Sequence, residues 1–529
     1  MKNIDIHPLE QSRGGFGVAD FFFPVSEHKI DHFTSELAKD LTAYINCKGI
    51  NASSSVEGLW LVLIYLVLDA SNLYMHASVL ENSASKNVDV RWGRKQTGFL
   101  NRLKQGEAAD PVVLSSAQRM FGKRNVVRDY LRWLYSASKR DGLSRVPPEF
   151  VNREDILCFA ADYSMASYAA GKGKRLILGR FEQWIEPHSS QGVGTKIEKQ
   201  VIDDVTDIIC LSFVKFSCSV SDYLRTVIFA MSEYAVSTGV NGLSSVMKKA
   251  TKLPDEIWLG SCGAFPNRLL AYAASKEGKK ASVYDHGSGS GWMNIPLIHL
   301  INIQFSHTYF MYTQAQVLGA KKILTSDLKV HGAVQTVFDV SPFRLFSKVP
   351  ERKAGERKRT SKPIAMFVPS VYMHEKAIIP PLCPDITTID FQLKLVTSLL
   401  SLGYEVVVKP HPECKIGVSH IISELRGVSI SSEPFEKVMW SVDLLVFDYL
   451  ATTALRSALY TDIPIVVMDH GRIPLLDEAA VKLQKRLYLV PVSRNTTNSS
   501  VFDRDVFSAA IEQSKCMRQN TEFVKSYFS

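Results

Sequence analysis

Three short segments of the chain carry side chains that can hold an anion or move a proton. The first is Lys409-Pro-His411-Pro-Glu413. Lys409 is cationic and His411 can donate one or two hydrogen bonds, while the flanking prolines stiffen the loop and lower the entropy lost on binding. Such a pair suits a leaving phosphate, through charge stabilisation or proton donation. Glu413 is grouped with Lys409 on the donor side. A solvated histidine in a surface turn is the competing reading. The second segment is Asp448-Tyr-Leu-Ala-Thr452-Thr453-Ala-Leu455. Either threonine can cap a following helix, and the helix-start N–H groups with two hydroxyls would make an anion site. A plain cap explains only one of the two threonines.

The third segment is Asp285-His286-Gly287-Ser288-Gly289-Ser290-Gly291. Three glycines in five residues let backbone approach a ligand closely, although the spacing is not the dinucleotide fingerprint. Asp285 stands where a carboxylate could face a cleft as base or nucleophile, or could simply cap its own turn. Lesser candidates are Ser261 with Gly263 and Asn267, and Ser370 with Tyr372, whose ring could stack on a base.

These segments need elements that aim them. From about residue 200, short apolar runs alternate with helical stretches, the rhythm of a parallel sheet. Strands are expected at Glu256–Gly260 and Ala281–Tyr284, with a helix from Phe265 to Glu277 closed by Gly278. The charged stretch 342–362 reads as a linker. Beyond it, strands are expected at 364–368, 405–408, 428–431, 444–447 and 465–468. Helices are expected at 390–402, 418–425, 434–440, 453–460 and about 505–527, with Gly403 and Gly427 as stops. The fold class is therefore α/β, with two Rossmann-like domains facing a cleft. Residues 1–200 form a helical N-terminal region associated with the first lobe, 201–341 the first Rossmann-like lobe, and 363–529 the second. Helical patterns dominate the N-terminal region, as at Lys123–Ser138 and Asp155–Gly171. All three main segments follow strands, where open parallel sheets bind ligands.

A chain of 529 residues is long enough for two or three domains. The formal charge of +9 is a mild excess that suits an anionic substrate or membrane surface without implying nucleic acid. The basic run 352–362 is compatible with peripheral docking on anionic lipid, or with a solvated linker. Eight scattered cysteines contain no CxxC pair and no Cys/His cluster of zinc spacing, which points to single thiols in a reducing compartment. The N-terminus lacks the basic-then-apolar order of a signal peptide. The most apolar run, Leu59–Leu68, is short for a bilayer span and reads as a buried helix. A cytoplasmic location is the expectation.

The block from Asp255 to Trp292, ending DHGSGSGW, resembles a family of bacterial surface-carbohydrate transferases in which the matching loop usually reads Gln-His-Gly-Gly-x-Tyr-Gly. Phe435–Asp469 resembles the final α/β segment of the same family. The Lys-Pro-His-Pro loop is similar to one shared by capsule Kdo transferases, bacterial sialyltransferases and polyol-phosphate polymerases. The likeness covers about residues 250–470. It implies a GT-B architecture, with the His-Pro pair and a Ser/Thr pair holding a nucleotide phosphate, roles that His411, Thr452 and Thr453 match. It also implies an acidic residue acting on sugar or acceptor, for which Asp285 is the candidate. Two departures stand out. Asp285 replaces the commoner glutamine. Arg456 stands where many GT-B enzymes place a glutamate that holds the donor ribose, and a guanidinium cannot accept those hydrogen bonds.

The resemblance thus implies a metal-independent glycosyltransferase of capsule, lipopolysaccharide or O-antigen polysaccharide assembly. It would use a CMP-linked acidic sugar such as Kdo or a sialic-acid-like nonulosonic acid, with no cofactor and no nucleic-acid partner. The acceptor would be a glycan or lipid-linked glycan met by the 261 and 286–290 loops. The alternatives are a CDP-polyol phosphotransferase of teichoic-acid type, a UDP-sugar-dependent transferase, and a scaffold that has lost catalysis.

Overall fold

The computed structural model describes residues 2–5, 25–85, 88–91, 151–159, 163–179, 181–184, 197–285, 289–295, 297–323, 326–341, 362–370, 385–411, 422 and 424–528. The expected helix at Lys123–Ser138, the linker at 342–361 and most of the helix at 418–425 lie outside them, as do His286, Gly287, Ser288, Tyr372 and Glu413.

Two six-stranded sheets, parallel throughout, organise the chain. The first contains β1 (Ile156–Cys158), β2 (Leu176–Leu178), β3 (Glu256–Leu259), β4 (Lys280–Tyr284), β5 (Thr308–Met311) and β6 (Val337–Val340), in the order β2-β1-β3-β4-β5-β6. The second contains β7 (Ile364–Val368), β8 (Glu405–Val408), β9 (Val428–Ile430), β10 (Leu444–Phe447), β11 (Ile465–Asp469) and β12 (Tyr488–Pro491), in the order β9-β8-β7-β10-β11-β12. Strand order therefore reverses between β1 and β3 in the first sheet, and between β7 and β10 in the second. A crevice opens at such a reversal, beyond the carboxyl ends of the strands.

The central strands of the second sheet are apolar on both faces, as a sheet covered by helices on each side requires. Leu445 and Phe447 enter one core with Met366, Val368, Ile465 and Val467, while Leu444 and Val446 enter the opposite core with Ala365, Phe367, Val466 and Met468. The period of two along each strand sends successive side chains to opposite helical layers. The expected helix stops Gly278 and Gly403 are in place, with φ of 69° and 86°; Gly427 has φ of 90° just before β9, while most of the helix expected ahead of it lies outside the described residues.

Two expectations need correction. Residues 151–184 were assigned to a helical region, and Asp155–Gly171 to one helix. Instead β1 and β2 extend the first sheet backward, and the helix spans only Tyr163–Gly171. Asp155 anchors the strand start by accepting hydrogen bonds from the Asn152 N–H at 2.7 Å and from Arg175 Nη2 at 2.8 Å, so tertiary pairing overrides the local helical pattern. The expected C-terminal helix is two, Arg504–Met517 and Glu522–Tyr527. Asn520 interrupts it, because its side-chain oxygen accepts from the Glu522 N–H at 3.0 Å and starts the second helix.

The apolar run at 59–68 lies in a 32-residue helix, Ser54–Ser85. Of its most apolar window, 89% is buried inside the protein, against the helices Glu27–Lys48, Lys199–Lys215 and Asp222–Ala250. It is long and apolar enough to cross a membrane, yet serves here as a core helix of the first lobe.

The carboxyl ends of the two sheets face each other. Met293, in the loop after β4, bridges Leu475, in the loop after β11; Asn294 N–H donates to Pro474 O at 2.7 Å and Leu476 N–H to Trp292 O at 3.0 Å. Trp292 belongs to the core of the second lobe, edge-on to Phe523. Within the first lobe, the loop after β4 lies against the helix Gln314–Ile323, and that close approach depends on glycine. A β-carbon on Gly319 would stand 1.8 Å from Gly291 O, and one on Gly291, whose φ is 83°, would stand 2.2 Å from Gln316 O.

Candidate functional site

β8, β7 and β10 are neighbours at the reversal of the second sheet, so the loops leaving them lie side by side. Lys409 prolongs the β8–β7 ladder, its N–H donating to Phe367 O at 2.8 Å. Its ammonium is largely buried and donates to Pro410 O at 2.9 Å. Burial pulls its pKa below the ordinary lysine value, and the nearby Glu436 carboxylate opposes that shift. His411 is half-buried at the rim.

Across β7, the loop after β10 starts with Asp448, a fully enclosed carboxylate. Asp448 accepts from Ser370 N–H at 2.6 Å, from Ser370 Oγ at 3.0 Å and from Gln392 Nε2 at 2.7 Å. Desolvation pushes its pKa up to about 6, against the hydrogen bonds from Gln392 and Ser370, which lower it. Asp448 thus pins the loop after β7 to the loop after β10 across the crevice. Four residues on, the two threonines part. Thr452 caps the short helix Thr453–Leu459, its hydroxyl accepting from Ala454 N–H at 3.3 Å, while Thr453 is exposed.

Opposite stands Asp285, immediately after β4, with its N–H donating to Phe310 O at 2.9 Å and its carbonyl accepting from Tyr312 Oη at 2.6 Å. It is 4% exposed, with Tyr309 and Tyr312 of its own lobe and Arg456 of the second within electrostatic reach, rather than facing an open cleft. Arg456, on the helix after Thr452, reaches over from the second lobe. Its guanidinium lies 4.1 Å above the Tyr312 ring and 5.1 Å from that of Phe528. Burial lowers the Arg456 pKa, whereas Tyr312, Tyr460 and the Asp285 carboxylate act to raise it. Desolvation, joined by the Asp285 charge, moves Tyr309 and Tyr312 far above the ordinary tyrosine value.

Other expected residues have local tasks. Ser290 Oγ is 3.1 Å from Tyr309 Oη in a buried contact, and Gly289 O accepts from Met293 N–H. Ser261 Oγ donates to Asn302 Oδ1 at 2.8 Å and accepts from Gly263 N–H at 2.9 Å. The structure therefore groups Lys409, His411, Ser370, Thr452 and Thr453 on one side, Asp285 on the other, and assigns Ser261 and Ser290 to holding their own loops.

The part played by Asp448, and those of Gln392 and Tyr312, escaped the sequence reading. Asp448 had a signal, since a carboxylate ending a wholly apolar strand must find donors. Gln392 and Tyr312 had none. Among the described residues no three His, Cys, Asp or Glu side chains gather as a metal ion would need. Neither models of known families nor curated protein sequences match this chain.

Proposed function

We propose that the protein is a GT-B-type glycosyltransferase of bacterial surface-polysaccharide assembly, moving an acidic sugar, Kdo or a nonulosonic acid, from a CMP donor to a glycan acceptor. One observation carries the reading: the loops carrying Lys409–His411, Ser370 and Thr452–Thr453 leave the adjacent strands β8, β7 and β10 around the strand-order reversal of the second sheet, and Arg456 of the last of these is within electrostatic reach of Asp285. Lys409 and His411 take the CMP phosphate, His411 donating a hydrogen bond or proton as the sugar–phosphate bond breaks. The threonine hydroxyls and the loop N–H groups complete that anion site.

Asp285 acts on the sugar. As a nucleophile it attacks the anomeric carbon and forms a glycosyl-enzyme that the acceptor hydroxyl then opens; as a base it removes the proton of the attacking hydroxyl. The anomeric configuration of the product separates the two roles. With Asp285 buried, either role needs the lobes to part for substrate entry. The place of Arg456, stacked on Tyr312, supports a donor other than a UDP-hexose, because a guanidinium there accepts no hydrogen bond from a ribose.

A thermal-shift screen with CMP, CDP, UDP, GDP and ADP tests the donor. A ligand at 100 times its Kd adds about 2.7 kcal/mol to stability. CMP is expected to stabilise the protein equally with and without EDTA, and to lose this effect in His411→Ala. Selective stabilisation by UDP or GDP would overturn the donor assignment.

A further inference from the structure

At the carboxyl end of the second sheet, three groups of the second lobe hold a carboxylate from the N-terminal part of the chain. Glu27 opens the helix Glu27–Lys48. Its Oε1 accepts from Thr387 Oγ1 at 2.7 Å, and its Oε2 accepts from Arg472 Nη1 at 2.8 Å and is ion-paired to Arg494 Nη2. One turn on, Asp31 takes Arg472 in a two-bond fork, from Nε and Nη2, both at 2.7 Å. Thr387 comes from the first turn of the helix Asp385–Ser401, Arg472 from the loop after β11, and Arg494 from the short antiparallel ribbon 493–501. Three separate segments of the second lobe thus converge on one carboxylate. Beside them His470 is held neutral, its pKa pulled down to about 4 by burial, with the two arginines adding to the drop and Glu27 opposing it.

Helix anchoring alone does not call for this arrangement. Removing ions from water costs nearly what their pairing returns, and apolar side chains of similar volume hold a helix as well. What the arrangement adds is exchangeability. Two guanidiniums and a hydroxyl around an oxyanion form a general receptor for carboxylate or phosphate. It also lies next to the strand whose loop carries the proposed nucleotide site. Glu27 is 2% exposed, so an incoming anion gains the site only as the helix leaves.

We propose that Thr387, Arg472 and Arg494 form an oxyanion-binding site of the second lobe that Glu27 fills in cis, so that an anionic ligand group and the N-terminal helix compete for it. Ligand binding there releases residues 27–48 from the second lobe and unlatches the two lobes. The site is defined by its own residues and does not depend on which donor the neighbouring loops take.

The test is chemical rescue in the full chain. Glu27→Ala removes the carboxylate held by Thr387, Arg494 and Arg472 Nη1 while Asp31 keeps its fork on Arg472, and is expected to lower Tm. Acetate or inorganic phosphate, compared with chloride at equal ionic strength, is expected to raise Tm of Glu27→Ala by at least about 2 °C. Neither is expected to do so in Glu27→Ala/Arg472→Met. Rescue by acetate alone marks a carboxylate site, and rescue by phosphate a site able to take a phosphate group. No rescue by either anion, or equal rescue in the double variant, overturns the proposal. Hydrogen exchange on the wild-type chain reads the competition without any variant. Phosphate is expected to speed exchange in 27–48, and unchanged exchange across a titration that saturates the Glu27→Ala pocket would refute displacement.

Discussion

The two sheets share a design and treat their reversal points in opposite ways. In the first lobe the loop after β3, beside the reversal, is tied down by its neighbours. Asn302 Oδ1 accepts from Ser261 Oγ and from Cys262 N–H at 2.9 Å, Arg268 Nε donates to Cys262 O at 2.6 Å, and Tyr65 Oη bonds Gly263 O. Arg268 has no exposed surface and lies between the Tyr65 and Phe305 rings at 4.7 and 5.3 Å. In the second lobe one buried carboxylate, Asp448, ties the crevice walls from beneath, while Ser370, His411 and Thr452 stay at the rim and Thr453 is exposed. The difference teaches that strand order creates a place for a ligand in both lobes, but the long N-terminal helices spend the first on packing. The first lobe contributes instead through its β4 and β5 loops, which bring Asp285 and Tyr312 to the interface.

The comparison can be broken most decisively at Asp285. If the first lobe supplies the reacting carboxylate, Asp285→Asn should lower turnover of a CMP-linked acidic sugar by about 10³-fold, with Tm nearly unchanged. Retained turnover would make Asp285 a packing residue and favour the scaffold reading.

The pH dependence of stability isolates the second lobe. Asp448 has a folded pKa of about 6, above the ordinary 3.8, so its contribution is fully present below pH 3.8 and is lost as pH rises to about 6. That shift of about 2 units corresponds to about 3 kcal/mol. His470, lowered from 6.5 to about 4, works the other way: its contribution is full above pH 6.5 and is lost as pH falls toward 4. The two largely offset each other between pH 4 and 6. In Asp448→Asn, urea midpoints should climb steadily from pH 4 to 6.5; in His470→Gln they should fall from pH 4 to 6. Parallel profiles in wild type and both variants would remove both groups from the balance.

A smaller effect is expected at the nucleotide loops. Lys409→Met should keep the fold, since it removes a cation held buried at a desolvation cost, but should abolish most of the thermal shift given by CMP, up to about 2.7 kcal/mol at 100 times its Kd. An unchanged shift would place the phosphate elsewhere. The smallest is expected at the loop after β3. Asn302→Ala strips the acceptor from Ser261 Oγ and Cys262 N–H and should cost about 1–3 kcal/mol, measured by urea unfolding, with CMP binding intact. Loss of CMP binding in that variant would mean that the first crevice also takes ligand.

Much of the second lobe was legible in advance. Five of its six strands fall at or within a residue of the expected positions, because each is a short apolar run and a parallel sheet buries both faces of such runs; the edge strand β12 was not expected. β1 and β2 were not legible. Three residues each, they are strands because β1 pairs with β3 and β2 in turn with β1, and nothing in Ile-Leu-Cys or Leu-Ile-Leu separates a strand from a helical turn.

The candidate site divides in the same way. Sequence alone determined which residues end strands, and hence that Asp285, Lys409, His411 and the threonines stand on loops at carboxyl ends, since strand direction and loop position follow from local order. Tertiary structure decided everything that joins distant segments. Asp448 reaches Ser370 across 78 positions, and Arg472 reaches Glu27 across 445. It set Arg456 over Tyr312 and buried Asp285. Those choices rest on desolvation and charge pairing between elements that meet only when both sheets are built. Such terms leave no period in the sequence, because they depend on which faces are brought together in space.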